Sequence, residues 1–458
     1  MVYRPLTLLF LALVLGSCDS DSEPIDAGPG DAGPQDAGIP PEICMGAPAG
    51  TAPSIPDPGT PEAPPDLDCG TPEIVAGTTL WRWPYLESVT PSSVRIAWTT
   101  TSGGRGVVRY AADPAGAWTE LEAVSEMFPT TRTAQAMDYV AFDATLEGLT
   151  PDAAYCYEIV EDGVVLARNL RFDTAWTGTD RPVRVLVIGD SGNGSAEQAA
   201  VRDAFMTQEY DLFLHMGDMA YDSGRFEELE SYFFDVYRDL MHRVPIFQTL
   251  GNHENATDLG RPYLDVYHLF ENAWRTDELE RYYSFDYANI HFTSLDSNED
   301  TLFRVYASGD RTDDDMFDWM IDDIGSSTAD WKVVFMHHPF YSSSDRGIRQ
   351  NHIDNFLRIL EDLGVDLILA GHDHHYERTV PLLDGCTAVE PEGITQIISG
   401  AGGASLRAVT ADRWFTAAIE NTTHTYTRLE IHGCRLRGQA LDTGNAVVDE
   451  FELYGCDP

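Results

Sequence analysis

Lysine is almost absent from this chain. Lys332 is the single lysine among 458 residues. The chain has 29 lysine and arginine residues and 75 aspartate and glutamate residues, which gives a formal net charge of −46. Nucleic-acid partners need basic patches, so this balance argues against them. The same acidity repels a small phosphate ester at long range. Because salt screens such fields beyond about 8–10 Å, a local cationic site can still bind an anion.

The apolar run at the N-terminus is short. In "MVYRPLTLLFLALVLGSC", Arg4 precedes the run Leu6–Leu15, which has the length of a signal-peptide core and is too short to span a bilayer comfortably. The run ends in "LGSC", which resembles a bacterial lipobox with Cys18 as the lipidated residue. An ordinary signal peptide with a chance cysteine is the alternative. We therefore expect residues 1–18 to direct export, and Cys18 to anchor a cell-envelope lipoprotein, periplasmic or surface-exposed, to the membrane.

Cysteines are few but even in number once Cys18 is set aside. Seven occur in the chain, and the remaining six are Cys44, Cys69, Cys156, Cys386, Cys434 and Cys456. An even count in an exported chain suggests disulfides, and six cysteines allow 15 pairings. Proximity along the chain favours the pairs Cys44–Cys69 and Cys386–Cys434.

Apolar residues are sparse over residues 19–77. This segment is rich in Pro, Gly, Ala and Asp, and "DAGPGDAGPQDAG" nearly repeats. It offers too little apolar surface to offset the entropy of ordering, so we predict a disordered linker. It would serve as a tether between the membrane and the folded part.

Residues 78–178 have a β pattern. In "SVRIAWTT" the apolar Val94, Ile96 and Trp98 recur at every second position, and "AYCYEIV" follows a "LTP" turn. The segment resembles a fibronectin type III-like β-sandwich, in which a tyrosine near the start of a late strand bonds back across the preceding turn. Tyr155 would take that role. We assign this domain no chemistry.

Residues 181–458 alternate buried strands with helices. "VRVLVIGD", "YDLFLHMGD" and "WKVVFMHHP" are apolar runs of strand length, and "SAEQAAVRDAFMTQ" has helical spacing after a capping Ser195. This alternation predicts an α/β domain, in which functional residues collect at the carboxyl ends of strands.

Five strand ends carry residues that are able to bind metals. One Gly-Asp is weak evidence because it is a common turn, but five such ends in one domain are not expected by chance. Two cations about 3.5–4 Å apart can hold an oxyanion and activate water, and an aspartate can bridge them. None of the candidates is a cysteine, so a soft thiolate site is not indicated. The candidate ligands are Asp190, Asp218, Tyr221, Asn252, His337, His372 and His374.

The order GD, GDxxY, GNHE, VxxH, GHxH resembles the calcineurin-like metallophosphoesterase superfamily. The tyrosine of "GDMAY" is typical of its purple acid phosphatase branch, and the resemblance covers about residues 78–458. It implies two mixed β-sheets sandwiched by helices and a binuclear centre bridged by Asp218. It also implies that His253 contacts the phosphoryl group and protonates the leaving oxygen. One ion would take Asp190, Asp218, Tyr221 and His374, and the other Asp218, Asn252, His337 and His372.

Tyr221 bears on the identity of the metal. A phenol has a pKa of about 10, so a phenolate ligand near neutral pH needs a strong Lewis acid. We therefore expect Fe(III) in the first position and Zn, Fe or Mn in the second. The alternative is that Tyr221 is a packed aromatic residue.

The loop after the VxxH ligand departs from the family. Plant-type members carry substrate-binding histidines there, whereas this chain has "HPFYSSSDRGIRQNH". Arg346 lies near the expected position and could clamp phosphate oxygens, or it could be a solvated loop arginine. His338, Asp373 and His375 are predicted to lie outside the ligand set, with His375 either supporting the site or exposed.

These observations predict an exported acid phosphatase that hydrolyses small phosphate monoesters through a metal-bound hydroxide. A phosphodiesterase or nucleotidase on the same metal core is the first alternative. A non-catalytic surface adhesion protein, using the sandwich and the tether, is an alternative of a different class.

Overall fold

A computed structural model describes residues 67–274, 279–298, 313–388, 392–409 and 413–456. The predicted signal peptide with Cys18, and most of the predicted linker with Cys44, lie outside the described residues.

The first part of the described chain consists of two antiparallel sheets. Their strand orders are β1-β9-β8-β4-β5 and β2-β3-β7-β6. The two sheets share one apolar core, in which Trp98 stacks on Phe142 at 5.3 Å between ring centroids. The strands are β1 (Glu73–Ile74), β2 (Tyr85–Glu87), β3 (Ser93–Thr100), β4 (Gly106–Ala111), β5 (Thr119–Glu122), β6 (Val124–Phe128), β7 (Tyr139–Glu147), β8 (Ala154–Glu161) and β9 (Val164–Asp173).

Tyr155 makes the predicted bond across the turn before β8. Its hydroxyl accepts a hydrogen bond from the backbone N–H of Thr150 at 2.9 Å, and its ring is buried against Phe172. The tyrosine therefore fastens the turn between β7 and β8 to the sheet.

Part of the segment assigned to the linker is held on this first sheet. β1 pairs antiparallel with β9, with Glu73 opposite Arg168, and Cys69 forms a disulfide with Cys156 of β8. The predicted pair Cys44–Cys69 is therefore wrong. Strand β1 brings Cys69 beside β8, although the two cysteines are 87 residues apart in sequence.

The predicted pair Cys386–Cys434 is also wrong. Cys434 forms a disulfide with Cys456, and the register of the C-terminal strands explains this pairing because Arg435 lies opposite Tyr454. The residues next to that pair therefore meet as well, and Gly455 N–H donates to Cys434 O at 3.1 Å. Cys386 is disulfide-bonded too.

The second part contains two mixed sheets. Their orders are β12-β11-β10-β22-β23-β24 and β13-β14-β15-β16-β20-β17-β21, and a two-stranded ribbon joins β18 and β19. The mixed sheets confirm the α/β prediction. The strands are β10 (Val183–Ile188), β11 (Leu212–His215), β12 (Ile246–Gln248), β13 (Tyr283–Tyr287), β14 (Ile290–Leu295), β15 (Trp331–Met336), β16 (Leu367–Ala370), β17 (Tyr376–Thr379), β18 (Leu382–Leu383), β19 (Cys386–Thr387), β20 (Thr395–Ser399), β21 (Thr416–Glu420), β22 (Thr425–His432), β23 (Arg435–Asp442) and β24 (Val447–Tyr454).

The central strands of the seven-stranded sheet are buried on both faces. Val333 and Phe335 of β15 point into the core shared by the two sheets, whereas Val334 and Met336 pack in a second cluster with residues of the flanking helices, such as Trp319. Successive side chains of a strand point to opposite faces. A strand that is covered on both faces therefore has apolar residues at consecutive positions in the sequence.

The helices are mostly short. Ser195 accepts from the backbone N–H of Gln198 at 3.0 Å, which confirms the predicted helix cap. No helix in the described part of the chain is long and apolar enough to cross a bilayer. The α-helices are Thr130–Thr133, Ala196–Phe205, Phe226–Glu228, Asp235–Met241, Asn252–Asn255, Arg261–Val266, Asp313–Ser326, Gln350–His352 and Arg358–Asp362, and Leu229–Phe234 and Ile353–Leu357 are π-helical turns.

A buried polar contact joins the sandwich to the α/β part. Arg82, in the segment before β2, forms a salt bridge with Glu230 of the first π-helical turn, and both are almost fully buried. The hydroxyls of Tyr85 and Tyr157 each donate at 2.6 Å to a carbonyl of the α/β part, Val266 O and His242 O respectively. Removing one partner of a buried ion pair strongly destabilises the folded protein. The stability of each part therefore depends on its contact with the other.

A second polar cluster lies away from the strand ends, where β13 and β14 meet the helix Asp313–Ser326. The two nitrogens of His291 contact Asp286 at 2.8 Å and Asp323 at 3.1 Å. Burial lowers the pKa of His291, but the bonds to both carboxylates outweigh it and raise that pKa to about 9. His291 is therefore held as an imidazolium in the folded chain.

This cluster predicts a pH-dependent stability. Because the folded-state pKa of His291 is raised, its contribution is complete below the unfolded value of about 6.5 and is lost as pH rises through about 9. Urea titrations of wild type and His291→Gln should differ by up to about 3 kcal/mol in free energy of unfolding at about pH 6. At about pH 9.5 the difference should nearly vanish. A difference that grows between these pH values would contradict the assignment.

Candidate metal centre

The carboxyl ends of five strands meet where the two mixed sheets face each other. β10, β11 and β12 run parallel in one sheet, and β15 and β16 run parallel in the other. The predicted ligands follow these strands, and a hydrogen bond crosses between the sheets: His337 Nδ1–H donates to Met216 O at 2.7 Å. All the predicted ligands lie together at this edge.

Four of the predicted ligands converge around the hydroxyl of Tyr221. This oxygen is 3.3 Å from Asp190 Oδ1, 3.2 Å from Asp218 Oδ2 and 3.2 Å from His374 Nε2. His374 Nε2 is in turn 3.4 Å from Asp190 Oδ1. Tyr221 therefore faces the other donors of the first predicted ion rather than packing as a purely apolar ring.

The remaining ligands converge around Asn252. Its Oδ1 is 2.9 Å from both His337 Nε2 and His372 Nδ1, and these two nitrogens are 3.1 Å apart. His337 Nε2 is also 3.2 Å from Asp218 Oδ2. The same oxygen of Asp218 thus borders both groups of donor atoms, as expected of a bridging carboxylate.

These distances fit a pair of metal ions. Two ligand atoms that bind one ion at about 2.1 Å stand about 3.0–3.4 Å apart in octahedral or tetrahedral geometry. The separations of 2.9–3.4 Å agree with that range. The donors are carboxylate, phenol, amide oxygen and imidazole, with no thiol, which suits iron, zinc or manganese.

Glycine and a strained backbone allow this close approach. Asp190, Asp218 and His372 each follow a glycine and have φ values of 55°, 55° and 68°, a region that side chains rarely occupy. A Cβ on Gly371 would lie 2.5 Å from Asp190 Oδ2. Strain of this kind persists only where the surrounding structure enforces it.

Glu254 enforces the path of the Asp218 loop. Its fully buried carboxylate accepts hydrogen bonds from the backbone N–H groups of Asp218, Met219, Ala220 and Gly251, at 2.8, 2.8, 3.0 and 3.1 Å. Burial and the neighbouring Asp218 raise the pKa of Glu254. Glu254 was not among the predicted site residues, although its position in the GNHE motif was an available signal.

We predict that Glu254→Gln destabilises the chain by about 2–4 kcal/mol, because the new NH2 group faces buried backbone donors. Urea titration would measure the loss, and elemental analysis should show fewer bound metal ions per chain. Glu361→Gln is a matched control, since Glu361 accepts one described backbone bond, from Asp384 at 3.0 Å. Similar small losses in both variants would argue against the role of Glu254.

Opposite charges shift the pKa values of the central pair. Burial raises the pKa of Asp218, but the neighbouring His337 and His253 lower it further, so that it lies well below its usual range. Burial lowers the pKa of His337, and Asp218 raises it to about 9. Metal binding at His337 must displace a proton. Burial, Asp218 and Asp190 raise the pKa of the Tyr221 phenol, so a phenolate there requires a cation.

His253 lies at the open side of the cluster. Its Nδ1–H donates to Asp222 O at 2.6 Å, and its Nε2 is 3.8 Å from Asp218 Oδ2. The ring packs against Tyr221 at 4.2 Å between centroids. Nδ1 points towards Asp222, so the nitrogen that faces the predicted ligands is Nε2. The bond to Asp222 O keeps a proton on Nδ1.

Arg346 lies at the site and is not a solvated loop residue. Its side chain is 9% exposed, with Nε 3.4 Å from Asp373 Oδ1 and one terminal nitrogen 3.3 Å from His372 Nδ1. Arg349, which was not among the predicted site residues, places a terminal nitrogen 2.8 Å from His372 Nε2. Its position three residues after Arg346 in the same loop was the signal.

Two of the neighbouring histidines are more tightly integrated than expected. His338 is buried, its ring lies 4.3 Å from that of His372, and its Nδ1 contacts Ser297 Oγ at 3.0 Å. His375 is fully buried and contacts Glu377 Oε2 at 3.0 Å, so the exposed alternative for His375 is excluded. A ring nitrogen of His338 lies within 4.8 Å of ligand atoms of His337 and His372, so these three residues form a group that could itself hold a metal ion.

Two family models match the chain. Residues 183–376 match the calcineurin-like phosphoesterase family, and residues 84–174 match the N-terminal domain of purple acid phosphatases. The chain is therefore similar to purple acid phosphatases in its N-terminal part and to calcineurin-like phosphoesterases in its α/β part.

Similar proteins include human acid phosphatase type 7, which is 27% identical over 402 residues, or 79% of this chain and 87% of the human protein. Purple acid phosphatase 22 of Arabidopsis thaliana is 27% identical over 48% of this chain and 50% of its own length. The match spans about half the length of this plant protein and of purple acid phosphatase 18 from the same plant.

Solved structures share the fold. Purple acid phosphatase PPD1 from yellow lupin seeds superposes with a TM-score of 0.68 at 16% identity, over 81% of this chain and 74% of the plant chain. PhoD gives a TM-score of 0.61 at 12% identity, over 83% of this chain and 91% of PhoD. At these identities the likeness concerns the fold alone.

Proposed function

We propose that this protein is a metal-dependent phosphatase that hydrolyses phosphate monoesters at a binuclear centre. The observation that carries this proposal is the convergence of two donor groups on one oxygen of Asp218. The names of the relatives, which are acid phosphatases, point to the same reaction.

The residues of the chain have separable roles in this proposal. When bound, the two ions lower the pKa of a water molecule and withdraw negative charge from the phosphoryl group. Asp190, Tyr221 and His374 would hold the first ion, Asn252, His337 and His372 the second, and Asp218 both. His253 faces the site through Nε2, and its imidazolium form, which carries a second proton on Nε2, could pass that proton to the leaving oxygen and become neutral. Arg346 would hold phosphoryl oxygens through its planar fork.

Metal analysis with a substrate panel tests the function. We expect the purified mature chain to hold two metal ions and to hydrolyse 4-nitrophenyl phosphate. Asp190→Asn should lose metal and activity together, whereas Asp203→Asn, at an exposed position on the helix Ala196–Phe205, should keep both. Absence of monoester hydrolysis in the metal-loaded wild type would overturn the proposal.

We further propose that the first ion is Fe(III), with Zn, Fe or Mn in the second position. An iron-loaded sample should show a visible phenolate-to-iron absorption band that Tyr221→Phe abolishes, because the hydroxyl of Tyr221 lies among the donors of the first group. A band that survives the substitution, or no band in iron-loaded wild type, would exclude this assignment.

The role of His253 predicts a dependence on the leaving group. His253→Ala should slow hydrolysis of an alkyl phosphate, whose leaving oxygen needs a proton, by about a hundredfold or more. Hydrolysis of 4-nitrophenyl phosphate should slow far less, because nitrophenolate leaves without protonation. Turnover of both esters by wild type and variant provides the comparison, and equal slowing would reject the role as general acid.

Export and anchoring by Cys18 are part of the proposal. The disulfides Cys69–Cys156 and Cys434–Cys456 fit an oxidising compartment. Cys18→Ser should move the chain from the membrane fraction to the soluble fraction of cells. A wild-type chain that is already soluble would contradict the anchor.

A further inference from the structure

Residues 402–407, which follow β20, form hydrogen bonds with two predicted ligands of the first ion, Asp190 and His374. We call these residues the clamp segment. We propose that His424 is a positioning residue that anchors the clamp segment and so fixes the geometry of the first metal position. This inference rests on the proposed metal centre and deepens it, because it assigns the placement of the ligands to a residue that acts through the backbone of another segment.

The clamp segment orients the ring of His374. The carbonyl of Ser405 accepts a hydrogen bond from His374 Nδ1–H at 2.8 Å, and the N–H of Arg407 donates to His374 O at 3.0 Å. The opposite ring nitrogen, Nε2, therefore faces the site, where it lies 3.2 Å from the Tyr221 hydroxyl and 3.4 Å from Asp190 Oδ1. A bond of this kind fixes which nitrogen of an imidazole is presented to a metal ion.

The same segment also holds the backbone of Asp190. The N–H of Ala404 donates to Asp190 O at 2.9 Å, and the N–H of Gly402 donates to Gly189 O at 3.1 Å. Asp190 has a φ of 55°, so its backbone is strained and depends on support from its surroundings. A displacement of the clamp segment would therefore move two donors of the first group together.

His424 attaches to the clamp segment from outside the site. It lies between β21 and β22 and is half-buried. Its Nε2–H donates to the carbonyl of Ala404 at 3.0 Å, and the N–H of the same residue donates to Asp190. A single residue of the backbone thus links the imidazole of His424 to the strand end that carries Asp190.

Two other side chains hold the clamp segment nearer its ends. Ser195 Oγ–H donates to Gly403 O at 3.1 Å. Asn421 Nδ2–H donates to Arg407 O at 3.3 Å. The bonds to the ring of one ligand and to the backbone of the other arise between these two points, where His424 is attached. We therefore expect His424 to control the part of the segment that meets the ligands.

The experiment compares His424→Leu, which removes the donor, with His424→Gln, which keeps an amide N–H near the position of Nε2. The control is His432→Leu, since His432 ends β22 and its Nε2 has no hydrogen-bond partner in the described part of the chain. Zinc serves as the probe ion, in competition with a coloured chelator. We expect His424→Leu to raise one zinc Kd about tenfold, because loss of a residue that supports a ligand weakens metal binding. His424→Gln should recover most of the affinity, and His432→Leu should match wild type.

Hydrogen exchange of the full chain, measured before zinc is added, provides a readout that needs no metal. In His424→Leu the amide of Ala404 should exchange about tenfold faster, because its bond to Asp190 opens more often. His424→Gln should keep the slow exchange of wild type. Should His424→Leu fail to fold, His424→Asn replaces it, since the shorter amide does not reach Ala404 O.

Three outcomes would overturn the positioning role of His424. They are unchanged exchange at Ala404, faster exchange with unchanged zinc Kd values, and equal losses of zinc affinity in His424→Leu and His424→Gln. Absence of zinc binding in wild type would instead refute the proposed metal centre. The exchange comparison would then still decide whether His424 anchors the clamp segment.

Discussion

The geometry of this site depends on the placement of one carboxylate, that of Asp218. One of its oxygens stands 3.2 Å from Tyr221 on one side and 3.2 Å from His337 on the other, and these residues follow strands of different sheets. Buried anionic oxygens repel each other unless positive charge lies between them. The phenolate form of Tyr221 beside Asp190 and Asp218 therefore requires a compensating cation.

The backbone that holds Asp218 is itself held by a second carboxylate. Glu254 gathers four N–H groups from two loops, and both loops end in ligands, Asp218 and Asn252. Such an arrangement lets the strained backbone at Asp218 persist, because four hydrogen bonds to a buried carboxylate offset a strain of about 1–3 kcal/mol. The candidate metal site thus depends on charge among the predicted ligands and on the buried carboxylate of Glu254, which holds the backbone of the Asp218 loop.

Much of the site was predictable because its ligands occupy fixed positions relative to periodic elements. Apolar strands are recognisable in the sequence, and parallel strands bring their carboxyl ends together, so Asp190, His337 and His372 could be placed without knowing any loop. Tyr155 and Ser195 were predictable for a similar reason, since each bond is local.

The features that were missed depend on the path of loops or on register between distant strands. Arg349 reaches His372 only because the loop after His337 closes on itself, and no periodic pattern encodes that closure. The disulfide partners Cys69 and Cys156 meet because β1 pairs with β9. Strand β1 has only two residues and lies in a segment with the composition of a linker. Contacts of this kind follow from the completed fold rather than from any local sequence signal.

The disulfide between Cys69 and Cys156 also affects how the chain resists an applied force. Strand β1 is held by a few hydrogen bonds, and force applied to the chain ahead of it would peel it from the sheet edge one bond at a time. The disulfide lies on the N-terminal side of β1 and transfers such a load to β8, in the interior of the sheet. Because β8 is paired on both sides, by β9 and β4, it resists such a load better than the two-residue edge strand does.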